Sequence, residues 1–100
     1  ISDDPGHAAA LGLCERSRLG EEALRFFGVR DGRPELDAEG LLGASRAWPE
    51  PEGLLAELVA QLDRGRLEID LDRLALVLGD GDWTALRTAL ESYREKVAHD

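Results

Sequence analysis

Residues 50–65, EPEGLLAELVAQLDRG, decide the fold class. Leu54, Leu55, Leu58, Val59 and Leu62 follow one another at helical spacing and fall on a single face of an α-helix. Pro51 suits the first turn, where its missing N–H is no loss, and Gly65 supplies the stop. Just upstream, Trp48-Pro49-Glu50-Pro51-Glu52 breaks the chain, because closely spaced prolines force an extended entry. A strong amphipathic helix behind a sharp break makes a helical bundle the first expectation.

Composition agrees. Leu (18) and Ala (13) favour helix, whereas Val, Ile and Thr together number only eight. One hundred residues make one ordinary domain. No apolar run approaches the roughly 20 residues of a bilayer-spanning helix, so no membrane partner is expected. The expected fold is all-α, a compact bundle of five to six short helices in a single domain, residues 1–100. Its parts are an N-terminal helical region 1–47, the Pro-rich break 48–52, and C-terminal helices over 53–98.

Outward from the break, Asp3-Asp4-Pro5 signals a helix start, an Asp cap followed by Pro. Ala8, Leu11 and Cys14 keep helical spacing, although Gly12 weakens the run. Gly20 ends or kinks this element, and residues 21–27 continue as helix with Leu24, Phe26 and Phe27. Arg30-Asp31-Gly32-Arg33-Pro34 is a strong turn signal, and a further helix runs over 37–47 with Asp37 as its cap.

Residues 66–78 admit two readings. Leu67, Ile69 and Leu71 alternate with Glu68, Asp70 and Asp72 at strand period, which allows a small β-hairpin or extended segment. The turn at Asp72-Arg73 lacks the Gly or Asn that a two-residue hairpin favours. A short extended link followed by a helix from about Asp72 to Leu78 is preferred. In the last helix Asp82 is the expected cap, and Trp83, Leu86, Leu90, Tyr93 and Val97 form a narrow apolar seam. That seam can pack inside the domain or against a second copy, giving a homodimer.

The formal net charge is −9, and its weight is uneven. Residues 34–63 hold seven acids against Arg46 alone, net −6. Phosphate contacts need a basic face, so direct nucleic-acid binding is not expected. Arg16, Arg18, Arg25, Arg30 and Arg33 are the one basic concentration, and Glu15, Glu21, Glu22 and Asp31 are interleaved to pair with them. Glu21 and Arg25 have the i,i+4 spacing of a helical pair. Cys14 is the lone cysteine, so no intramolecular disulfide forms, and a reducing cytoplasm is the expected compartment. The chain has no Met and begins at Ile1, as a trimmed, processed or excised domain would.

Few residues suggest chemistry. Asp80, Asp82, Thr84 and Glu91 match part of a calcium-loop pattern, but Ala85 stands where that loop needs Gly. The transition-metal donors are His7, His99 and Cys14, and no metal is expected. His7 and Cys14 lie two helical turns apart, which also defeats a Cys-His nucleophile. Ser2, Ser17, Ser45 and Ser92 sit in no nucleophile-elbow context, and no phosphate-binding glycine loop occurs. Adjacent acids such as Glu21-Glu22 and Asp70/Asp72 are read as surface charges. The size and acidity superficially resemble those of acyl carrier proteins, which carry an Asp-Ser-Leu attachment site at a helix start. The nearest stretch, Leu42-Gly43-Ala44-Ser45-Arg46, lacks the Asp and continues with Arg, so that function is not carried over.

The leading expectation is a non-enzymatic interaction module without cofactors, an adaptor or regulator whose acidic middle meets a basic protein surface. Trp48 is the expected anchor and Glu35, Asp37, Glu39, Glu50, Glu52 and Glu57 the expected charges. In a sharper version the chain is an inhibitor or immunity-type protein whose acids mimic phosphates. The alternatives are a small-ligand-binding or sensing domain and a non-catalytic subunit of an enzyme complex.

Overall fold

A computed structural model describes residues 4–98, running α1 (Pro5–Arg16), α2 (Glu21–Leu24), β1 (Phe27–Arg30), β2 (Arg33–Leu36), α3 (Ala38–Ser45), α4 (Glu50–Arg64), α5 (Leu71–Val77) and α6 (Asp80–Ala98). Asp3, Ser2 and His99, invoked above, lie outside the described residues. The architecture is mostly α, six helices and one small antiparallel hairpin among the described residues.

Leu54, Leu55, Leu58, Val59 and Leu62 of α4 are all at most 3% exposed. Burial of each such side chain stabilises the fold by about 2 kcal/mol. Helix α1 packs along both α4 and α6, while α3 and α5 lie against α4 as well. Gly65 ends α4 at φ 77°, a left-handed conformation in which its N–H reaches the carbonyls of the last turn. The helix starts at Glu50, inside the Pro-rich break, because Pro51 fits a first turn.

The start of α1 is capped by Asp4, whose Oδ1 accepts from the Gly6 N–H at 2.9 Å. There α1 meets the end of α4 backbone to backbone. A Cβ on Gly6 would strike the Leu62 carbonyl oxygen and lie 2.9 Å from that of Asp63. Gly12 differs, since a Cβ there would meet only the mobile tip of Arg16.

The hairpin stands where the turn signal is, at 27–36, and not at 66–78. Asp31 (φ 54°) and Gly32 (φ 78°) both take the left-handed conformation of a tight two-residue turn. The flanking strands carry Gly28 and Pro34 and little β-branching, which hides them from a periodicity reading. In such a turn Arg30 and Arg33 form the hydrogen-bonded pair, so the next pair, Val29–Pro34, needs no ladder N–H from proline. The expected helix over 21–27 is correspondingly cut short at Leu24.

The link and helix preferred for 66–78 are present: irregular chain, then α5 capped by Asp70 through the Asp72 N–H. The helix expected behind Asp82 begins two residues earlier, at Asp80, so Asp82 is not its cap.

Gly6→Ala is expected to lower the unfolding free energy by about 1–3 kcal/mol through forced separation of α1 from α4. Gly12→Ala is expected to raise it by about 0.5–1 kcal/mol through reduced unfolded-state entropy. Urea unfolding of the two variants checks the pair.

Candidate functional site

The hairpin's inner face carries the Phe27–Leu36 pair and, one pair farther out, Val29–Pro34. Leu36 is buried in the core, whereas Val29 is 74% exposed, so the apolar face of the hairpin overhangs the core. Between this overhang and the start of α3 runs an open groove of about 510 Å³, lined by Phe26, Val29, Arg30, Leu36 and three acids. Those acids are Glu35, Asp37 and Glu39.

Each is placed by local structure. Glu35 lies on β2 opposite Gly28, with Arg30 Nη1 3.6 Å from its carboxylate. Asp37 is the cap of α3, accepting the Gly40 N–H at 3.0 Å, while its own N–H donates to the Phe26 carbonyl. Glu39 sits in the first turn of α3, a favourable site for an anion, and pairs with no described cation.

The other expected charges are not in this groove. Glu50 is exposed at the start of α4. Glu52 Oε1 is held by Arg18 Nη1 at 3.2 Å. Glu57 Oε2, shielded from solvent, faces Arg73 Nη1 at 2.8 Å without the alignment of a hydrogen bond. Trp48 is half-buried and packs on the core. The seam of α6 divides as well: Leu86 is buried and Tyr93 packs on the core, while Trp83, Leu90 and Val97 remain exposed.

The expected pairing of the N-terminal arginines with Glu15, Glu21, Glu22 and Asp31 is absent among the described residues; Arg30 pairs with Glu35 instead, and Arg18 makes long-range contacts. Arg25 keeps helical backbone and its N–H donates to the Glu21 carbonyl at 3.3 Å, but its side chain lies over the Phe26 ring at 5.2 Å and makes no ion pair with Glu21. Arg18, in the loop after α1, binds Asp82 of α6 through Nε at 2.7 Å and through its backbone N–H at 3.2 Å. Asp82, 5% exposed, therefore anchors a loop rather than a calcium ion, and residues 80–91 are continuous helix where a calcium loop would be. The hydrogen bond to Asp82, then that to Glu52, pushes the Arg18 guanidinium still higher than its usual range, so it stays charged.

His7 is not an exposed first-turn residue. Its Nδ1 lies 3.0 Å from Asp63 Oδ1 of α4, and its ring stands edge-on to Phe27 at 5.3 Å. Ser45 is buried, its hydroxyl donating to the Leu42 carbonyl at 2.8 Å. Among the described residues no three His, Cys, Asp or Glu side chains converge as a metal site requires. Burial, with Glu15 adding to it, pushes the Cys14 thiol up to about 12. Neutral thiol is thus the stable form inside, and an inert one.

The chain matches no known family model, and neither a curated protein nor a solved structure matches it.

Sequence reasoning found the three groove acids but missed Phe26 and Val29, which line it beside them. The signal available was Asp31-Gly32, which fixes a hairpin and therefore two flanking strands.

Arg18→Ala strands Asp82 as a buried carboxylate, so the double variant Arg18→Ala/Asp82→Asn is expected to be more stable than Arg18→Ala alone in urea. Cys14 is expected to resist a thiol reagent at about pH 8 until the chain is unfolded. Because its folded value is raised, its contribution is complete below the ordinary 9.0 and is lost as pH climbs towards about 12. Unfolding curves across that window should fall more steeply for the native chain than for Cys14→Ala.

Proposed function

We propose that the chain is a non-enzymatic interaction module that takes a basic segment of a protein partner into the groove between the hairpin and α3. The observation that carries this is one of composition in space. Three carboxylates line a groove that Phe26 and Val29 also line, and Val29 is 74% exposed. Apolar surface gives a basic segment something to bury, and the acids orient it and hasten encounter.

The partner surface is narrower than the six acids and Trp48 of the linear sequence. Glu52 and Glu57 already face arginines of the same chain, and Trp48 offers only its uncovered part. An inhibitor-like mimic of phosphates would rest on Glu35, Asp37 and Glu39, with Glu50 apart from them. No helix of the described residues is long and apolar enough to cross a membrane. With Cys14 the lone cysteine, a reducing cytoplasm is the setting proposed for this module.

The test titrates the isotope-labelled chain with a short extended peptide of alternating Arg and Val. Amide shifts are expected over residues 26–39, and Glu35→Lys/Glu39→Lys should weaken binding about tenfold, as should salt near 0.5 M. Shifts centred elsewhere, or an affinity indifferent to the two reversals, would sink the proposal.

A further inference from the structure

Helix α6 turns Asp82, Ala85, Leu86 and Ala89 inward and packs on α1, yet leaves Trp83, Leu90 and Val97 at 43, 40 and 52% exposure. These three stand seven residues apart, two turns each, and form one straight apolar stripe about 21 Å long. Arg87 and Arg94 edge the stripe on its solvent side, one turn beyond Trp83 and Leu90. Both are exposed, and neither forms an ion pair with a described residue. Glu91 is spaced to reach either of them and bonds neither.

We propose that this stripe docks an acidic amphipathic helix of another protein, independently of the hairpin groove. Length and periodicity suit a helix, since an apolar row recurring every three or four residues over about four turns of a partner would span Trp83, Leu90 and Val97. Charge selects which helix. Glu or Asp flanking the partner's apolar row meets Arg87 and Arg94, whose guanidinium groups grip carboxylates in fixed geometry.

A second copy fits less well. Antiparallel packing centred on Leu90 sets Arg87 of one copy against Arg94 of the other, like against like. Parallel packing sets the same arginines beside Ala89 and beside Asp82, which is buried and already held by Arg18. An anionic membrane is also disfavoured. A lipid surface faces the whole chain and its net charge of −9, whereas a helix meets only the stripe.

The experiment uses two fluorescent peptides of about 20 residues, long enough to hold helix, with the same Leu row and either Glu or Lys flanks. Tight binding of the Glu peptide, and its loss by about tenfold in Arg87→Glu/Arg94→Glu, is the expected result. The same variant should gain affinity for the Lys peptide. Leu90→Glu, at a half-exposed site, should abolish both interactions while leaving the helical circular dichroism unchanged. Equal affinity for the two peptides, or none for either, overturns the proposal. So does a dimer in sedimentation that Leu90→Glu dissolves, or binding to phosphatidylserine vesicles in place of the peptide.

Discussion

Helix α4 is apolar on the face it turns inward, and a chain of this size covers such a face only if neighbouring helices come very close. At Gly6 α1 rests on the terminal carbonyls of α4 with no side chain between them. From that contact onward α1 carries Ala9, Ala10, Leu13 and Cys14 into the core. Helix α6 packs on the same α1, so the two halves of the sequence meet across a helix neither could bury alone. Small residues on α1 are what make this possible: the helix contributes closeness more than volume.

Polar contacts then fix what packing leaves loose. His7 joins the start of α1 to the end of α4 through Asp63 and touches the hairpin through Phe27. Arg18 does the same at the other end of α1, reaching Glu52 at the start of α4 and Asp82 at the start of α6. Both side chains stand at helix ends, where backbone groups lack partners and loops would otherwise swing. The Arg18 pairs add specificity of arrangement more than stability, because about half of that side chain, 47%, stays in water.

Helices were legible wherever periodicity and caps agreed. Asp4, Asp37 and Gly65 stand at element ends that the sequence marks plainly, and the five apolar residues of α4 are all core. The hairpin was half legible: its turn chemistry is explicit, but strands only four residues long give too little alternation to read. Asp82 was misread because an acid before a helical run resembles a cap, and its true partner, Arg18, is 64 residues away. Nothing in linear order announces such a pair. The candidate groove is a similar case, since Glu35, Asp37 and Glu39 are neighbours in sequence while Phe26 and Val29 reach them only through the turn.

Net charge is therefore a poor guide to what this molecule offers a partner. Its principal extents are 38 × 27 × 21 Å, several times the screening distance of roughly 8 Å in physiological salt. A partner senses the charges within that distance and little beyond. Among the acids of the middle segment, Glu52, Glu57 and Asp63 face cations or His7 of the same chain and lose much of their outward field. Glu35 is partly countered by Arg30, while Glu39 and Glu50 are not countered by any described residue. On α6 Arg87 and Arg94 border exposed apolar side chains, although the helix as a whole holds more acids than bases. On the two proposals made above, selection between partners depends on which patch a ligand reaches, because the charge it meets is set locally and not by the chain as a whole.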